Sequence, residues 1–239
     1  MINAVLYSDQ VIAANAKVDL RLTQIMARGG DRIGYIPSGP DPGGRFFSEK
    51  QAYYARYGLR LAAPYDLDED HGRSELDGLL ACDAIHLSGG DTTAFLMRMR
   101  RCGMLEILKR WAKAGGLLIG TSAGAILMTP TIAVDALFSG RRPEHVTDAE
   151  ALDLLPFEFF PHVQAKASYL PDLLRYSMLT PRPIIACPDG DGVVVDDGVA
   201  ECIGDTLWLS NGRVDRMRQI NLAEICAERR PHHDETENG

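Results

Sequence analysis

The segment Leu117-Leu118-Ile119-Gly120-Thr121-Ser122-Ala123-Gly124-Ala125-Ile126-Leu127 sets a short apolar strand against a short apolar helix, with only small residues at the junction. It contains Gly120-x-Ser122-x-Gly124, the spacing of a nucleophile elbow, in which a sharp strand-to-helix turn exposes a serine hydroxyl. Small neighbours suit such a turn because the helix must pack close to the strand it follows. The hydroxyl would stand at the carboxyl end of a sheet, where open α/β folds place ligands. The helix N-terminus behind it offers unpaired N–H groups to a developing negative charge. Ser122 would also fit a plainer role, the N-cap of a helix starting at Ala123. The all-small surroundings and the preceding strand favour the nucleophile.

Working outward, short apolar runs at residues 2–7, 33–36, 59–62, 84–87, 117–119, 184–187 and 193–195 alternate with longer helix-like segments. This alternation predicts an α/β fold, with a mainly parallel sheet and helices on both faces. Apolar residues at helical spacing over 94–113, interrupted at Cys102-Gly103, predict two helices leading into the 117 strand. Asn211-Gly212 between two short runs predicts a hairpin, so the fold should finish in an antiparallel edge near the C-terminus. A single domain over residues 1–228 is expected, and the polar 229–239 segment reads as a disordered tail.

A second glycine-rich turn, Leu87-Ser88-Gly89-Gly90-Asp91-Thr92-Thr93, also follows a strand and opens a helix. Beside an elbow, a glycine N–H at a strand end can point at the same oxyanion as the N–H after the serine. Phosphate binding ranks low, since neither G-x-G-x-x-G nor a P-loop lysine is present.

A serine nucleophile needs a base. Of the histidines, His86 lies within a strand, His71 in an acidic loop, and His232 and His233 in the tail, which leaves His145 and His162. His162 follows the apolar 154–160 run and Pro161, at the end of a predicted strand, and is preferred over His145 in the polar 141–150 loop. Asp189, just past the 184–187 strand, is the carboxylate expected to orient it, in preference to Asp191, Asp196 and Asp197. The plainer reading of Pro188-Asp189-Gly190, a simple turn, is the lesser one. The chain order serine, histidine, aspartate differs from the serine, acid, histidine order of α/β-hydrolases.

Together these segments resemble peptidase E, the aspartyl dipeptidase family that includes the cyanophycinases and shares the class I glutamine amidotransferase-like fold. Ser88-Gly89-Gly90-Asp91-Thr92 stands where the family has Gly-Gly-Gly-Asn-Thr, Phe160-Pro161-His162 resembles its Asn-Pro-His, and Cys187-Pro188-Asp189-Gly190 resembles its Leu-Pro-Glu-Gly. The resemblance implies a Ser122-His162-Asp189 triad, oxyanion N–H groups from Gly90 and Ala123, and substrate contacts from Asp91, Thr92 and Asp135. Where aspartyl dipeptidases carry Pro-Thr-Ile-Arg and then an acid, this chain has Ala133 and Leu137. A preference for N-terminal aspartate is therefore not expected.

The expected function is a serine peptidase, dipeptidase-like, cleaving short peptides or small amides without a metal or organic cofactor. An esterase or amidase acting on a non-peptide metabolite, and a non-catalytic amidotransferase-like binding domain, are the alternatives. A formal charge of −8 gives no electrostatic reason to bind nucleic acid or an anionic membrane. No run reaches the roughly 18 apolar residues of a membrane span, and a cytoplasmic location is expected. Five cysteines without a C-x-x-C pair suggest reduced, mostly buried thiols. An apolar edge near the C-terminus permits a homodimer without requiring one.

Overall fold

The computed structural model describes residues 1–11 and 13–227; the 229–239 tail, with His232 and His233, lies outside the described residues. The first half alternates strand and helix: β1 (Asn3–Tyr7), α1 (Ala16–Met26), β2 (Arg32–Ile36), α2 (Arg45–Ala55), β3 (Arg60–Pro64), α3 (Arg73–Leu80), β4 (Ala84–Leu87), α4 (Thr92–Arg101), α5 (Met104–Lys113), β5 (Leu117–Thr121) and the single turn α6 (Ala123–Ile126). Strands β1, β5, β4, β2 and β3 lie side by side in that order, all parallel. β1, β4 and β5 are buried along nearly their whole length. Burial on both faces is why they read as continuous apolar runs rather than alternating ones.

Successive side chains still point to opposite faces. Val5 and Tyr7 of β1 pack with Val18 and Leu22 of α1 and Tyr54 of α2, whereas Ala4 and Leu6 face the larger core containing Phe95, Leu108 and Ala125 from α4, α5 and α6. The helices thus cover both faces, and every parallel strand ends on the same rim.

The second half supplies β6 (Glu158–Phe160), α7 (Tyr169–Ser177), β7 (Ile184–Ala186), β8 (Gly192–Asp196), β9 (Val199–Ile203), β10 (Leu207–Ser210), β11 (Arg213–Asp215), β12 (Gln219–Asn221) and α8 (Leu222–Ala227). β8, β9 and β12 extend the main sheet antiparallel from the free edge of β1. The 184–187 run departs from expectation. It forms β7 of a separate four-stranded sheet, ordered β11-β10-β7-β6, because β8 occupies the β1 edge and β7 pairs parallel with β6 instead. The β10–β11 hairpin turns at Asn211 and Gly212 with φ 50° and 73°, the left-handed pair a two-residue type I′ turn requires. Cys82 and Cys187 are buried, but Cys102 and Cys226 are exposed, against the expectation of mostly buried thiols. Among the described residues no helix is long and apolar enough to cross a membrane.

The rim geometry depends on how closely α6 approaches β4. A Cβ placed on Gly124 would lie 2.1 Å from the Leu87 carbonyl oxygen, which is backbone and has no room to yield. In an ordinary helix Gly→Ala stabilises by roughly 0.5–1 kcal/mol. Gly124→Ala is expected to reverse that sign and destabilise by about 1–3 kcal/mol through overpacking. The urea unfolding midpoint measures it, and a midpoint above that of the parent protein would contradict the close approach.

Candidate active site

Ser122 occupies the turn between β5 and α6 at φ 50° and ψ −111°, a left-handed conformation that costs a non-glycine residue about 1–3 kcal/mol. It is pinned from both sides. Its N–H donates to the Tyr7 carbonyl at 3.0 Å, while its own carbonyl accepts from Ala125 and Ile126 N–H at 3.0 Å each. The side chain caps nothing. Instead Ser122 Oγ lies 2.8 Å from His162 Nε2.

His162 arrives from the second sheet. The β6–β7 register pairs Phe160 with Ala186, so the residues just beyond both strands emerge together. Cys187 N–H donates to the Phe160 carbonyl at 2.9 Å and Val163 N–H to the Cys187 carbonyl at 3.2 Å, extending the pairing past the strand ends. His162 itself is left-handed, at φ 57°, and its Nδ1 lies 2.5 Å from Asp189 Oδ1. An ionised carboxylate can only accept, so Nδ1 carries the proton and Nε2 is left to accept from the Ser122 hydroxyl.

The other candidates are engaged elsewhere. His145 ends a 3-10 turn, Pro143–His145. Asp191 accepts the Asp205 N–H at 2.7 Å, and Asp196 pairs with Arg28 at 2.8 Å. Asp197, at φ 49°, belongs to the β8–β9 turn.

Ser8, which no sequence motif marks, joins the two sheets. It follows β1, and the Tyr7–Thr121 pairing of β1 with β5 places it beside Ser122. Its fully buried hydroxyl accepts the His162 N–H at 2.8 Å and lies 3.0 Å from the Cys187 carbonyl and 3.1 Å from Asp189 Oδ1, both acceptors for its single proton. One hydroxyl thereby ties the histidine backbone to the carboxylate. The available signal was its position at the carboxyl end of the first strand, which only the β1–β5 pairing makes meaningful.

Ser122 and His162 open on a cavity of about 640 Å³ that Gly90, Asp91, Thr92, Asp135 and Arg141 also line. Gly90 has φ 146°, and a Cβ there would lie 2.2 Å from Ser38 Oγ, so the turn requires glycine. Ser38 holds this turn by donating its hydroxyl to the Gly89 carbonyl at 2.6 Å and its N–H to Ser88 Oγ at 2.7 Å. Asp91 caps α4 by accepting the Ala94 N–H at 2.8 Å. Thr92 donates to Asp135 Oδ1 at 2.5 Å, and burial pushes the Asp135 carboxyl above its usual range. Ala123 is the first residue of α6, where N–H groups lack an intrahelical acceptor. Ala133 and Leu137 are buried in the larger core and take no part in the cavity lining.

Behind the rim lies a closed polar ring. Gln10 Nε2 donates to Tyr54 OH at 3.2 Å, Tyr54 OH lies 3.0 Å from His86 Nδ1, His86 Nε2 lies 3.2 Å from Thr121 Oγ1, and Thr121 OH donates to Gln10 Oε1 at 3.1 Å. Every proton finds an acceptor only if His86 is neutral and protonated on Nε2. Burial, followed by the charge of Lys50, holds the His86 imidazole well below its ordinary range.

The sequence pattern of Peptidase family S51 matches residues 8–203. An uncharacterized peptidase of Listeria innocua is 30% identical over 122 residues, covering 48% of this chain and 58% of that protein. Peptidase E of Salmonella typhi is 29% identical over 139 residues, covering 53% and 58%. The chain thus spans a little over half the length of these curated relatives. In three dimensions it is similar to a Listeria monocytogenes EGD-e protein ascribed to peptidase E, with TM-score 0.66 and 20% identity over 85% of this chain and 100% of that one. It is also similar to a peptidase from an acI-B1 Actinobacterium, with TM-score 0.68 and 17% identity over 92% and 97%.

The polar ring gives a pH prediction. Folded His86 stays neutral while the unfolded chain takes up its proton near pH 6.5. Below that pH the unfolded state binds more protons, so stability falls as pH drops, by up to about 1.4 kcal/mol per unit from this group. His86→Gln is expected to flatten the fall between pH 7 and 5, measured by urea unfolding at several pH values. Identical slopes for the two proteins would contradict a neutral His86.

Proposed function

Because the chain belongs to Peptidase family S51, we propose that it is a serine peptidase that cleaves short peptides or related small amides through an acyl-enzyme. The observation that carries this reading is the unbroken hydrogen-bonded chain from Ser122 through His162 to Asp189, with the serine held on a strained elbow. Ser122 Oγ attacks the carbonyl as His162 Nε2 takes its proton, and Asp189 steadies the resulting imidazolium. The N–H groups of Gly90 and Ala123 receive the oxyanion. Nε2 then returns the proton to the departing amine, and water releases the acyl group by the same steps in reverse.

Substrate size follows from the cavity, which suits a few residues rather than a folded chain. Asp135, fixed by Thr92, is its recessed carboxylate and the natural partner of a substrate amine, while Asp91 and Thr92 border the same space. Preference for N-terminal aspartate through positions 133 and 137 is not part of this reading, since Ala133 and Leu137 carry no charge and turn into the core.

A library of short peptides and esters supplies the substrate, and kcat of the variants tests the roles. Asp189→Asn is expected to lower kcat by about 10³–10⁴ with little loss of stability, because the imidazole tautomer is no longer fixed. Asp191→Asn should cost less than about tenfold, since its carboxylate serves the β9–β10 turn. A larger defect in Asp191→Asn would overturn the assignment.

Ser8→Ala should act through position rather than chemistry. It leaves the His162 N–H without its acceptor, and a kcat loss of about ten- to a hundredfold with unchanged KM is expected. Wild-type kcat in Ser8→Ala would remove Ser8 from the machinery.

A further inference from the structure

Ser122 stands on the carboxyl rim of the main sheet, and the 640 Å³ cavity opens from it toward α4. A second cavity, of about 750 Å³, opens on the opposite side of the rim, against α2. Ser88, Gly89 and Thr121 form its wall toward the nucleophile, and Gly90 borders both cavities. The partition is thin: a Cβ on Gly89 would lie 3.5 Å from Ser122 Cβ.

Lys50, on α2, lines this second cavity. Its ammonium donates to Gln10 Oε1 and stands 5.2 Å from the centre of the Tyr53 ring. Both are neutral partners, and among the described residues no carboxylate lies within ion-pair distance of it. The acids that share the lining are committed elsewhere. Asp41 accepts the N–H groups of Phe46 and Phe47 at the start of α2, Glu49 pairs with Arg45, and Asp9 accepts the Gln10 N–H. Burial brings the Lys50 ammonium down to about 8, against the opposing pull of Asp9, Asp19 and Glu49. A half-buried cation without a counter-ion still loses hydration that nothing offsets unless an anion pairs with it. Here the ammonium lines a cavity that the Gly89-Gly90 turn separates from the nucleophile.

We propose that the second cavity is a subsite for a carboxylate carried by the substrate, with Lys50 as its cation and the Gly89-Gly90 turn as the partition across which the bound molecule reaches Ser122. The proposal rests on the serine hydrolase reading for its substrate, though binding itself needs no turnover. The polar ring has a part in it: Gln10 Oε1 is held by Thr121 and orients the Lys50 ammonium, so the carboxylate site and the backbone beside Ser122 are fixed by the same hydrogen bonds.

The experiment uses Ser122→Ala protein, which cannot form the acyl-enzyme, and calorimetric titration with three probes: Ala-Leu, Ala-Leu-amide and Asp-Leu-amide. At least one carboxylate-bearing probe should bind tenfold or more tighter than Ala-Leu-amide. Lys50→Met in the same background should abolish that advantage, and Lys50→Arg should keep most of it. An advantage for Ala-Leu assigns the subsite to the C-terminal carboxylate, and one for Asp-Leu-amide assigns it to an acidic side chain. Lys50→Met should melt at or above the parent temperature, because it removes a partly desolvated charge that has no counter-ion, so weaker binding cannot come from unfolding. Equal affinity for all three probes, or an advantage that survives Lys50→Met, overturns the subsite. Failure of the hydrolase reading would look different: no turnover of any peptide by the unmutated enzyme, with the Lys50-dependent binding pattern intact.

Discussion

The close contact of α6 with the ends of β4 and β5 is the constraint from which the rest of the site follows. With glycine at position 124 the helix begins against the Leu87 carbonyl, and the chain reaches it from β5 through a left-handed residue. That residue is Ser122. Its conformation costs free energy, which is offset by the hydrogen bonds that clamp it to Tyr7, Ala125 and Ile126 and by two cores packed on either face of the sheet. Strain of this kind persists only where the surroundings over-determine the backbone, and His162 at φ 57° is held in the same way by Ser8 and the β6–β7 ladder.

Local chemistry was legible in the sequence, and long-range pairing was not. The elbow could be read because strand, small-residue turn and helix are contiguous in 117–127. The helix break at Cys102-Gly103 and the Asn211-Gly212 hairpin were legible for the same reason, as each is a few residues whose backbone preferences decide the outcome. Placing His162 and Asp189 near Ser122 needed strand ends read in combination. The sequence also supported the wrong sheet for β7, since an apolar run that suits a central parallel strand suits a buried strand in a second sheet equally well. Ser8, Gln10 and Lys50 were invisible for a different reason. Each is an ordinary polar residue locally, and it gains its partner only when β1 pairs with β5 and α2 packs across the rim.

The polar groups collected at this rim are expensive to bury, and most are paired, with Asn15 Oδ1 an exception among the described residues. The ring through Gln10, Tyr54, His86 and Thr121 uses each donor once and fixes one histidine tautomer. Asp19, buried nearby, accepts from the hydroxyls of Tyr7, Tyr53 and Tyr57 and raises all three phenols, after burial itself. Against that background Lys50 stands out as a half-buried charge whose hydrogen-bond partner is a neutral amide.

The central claim is that the Ser122 hydroxyl is activated by its place at the head of the hydrogen-bonded chain to His162 and Asp189. The most direct measurement is peptide-mapping mass spectrometry of the folded, unmutated protein after exposure to a fluorophosphonate, which reacts with activated serines. A single adduct on Ser122 is the result this account predicts. No adduct on a folded protein, or an adduct on another hydroxyl such as Ser8 or Ser139, would contradict it.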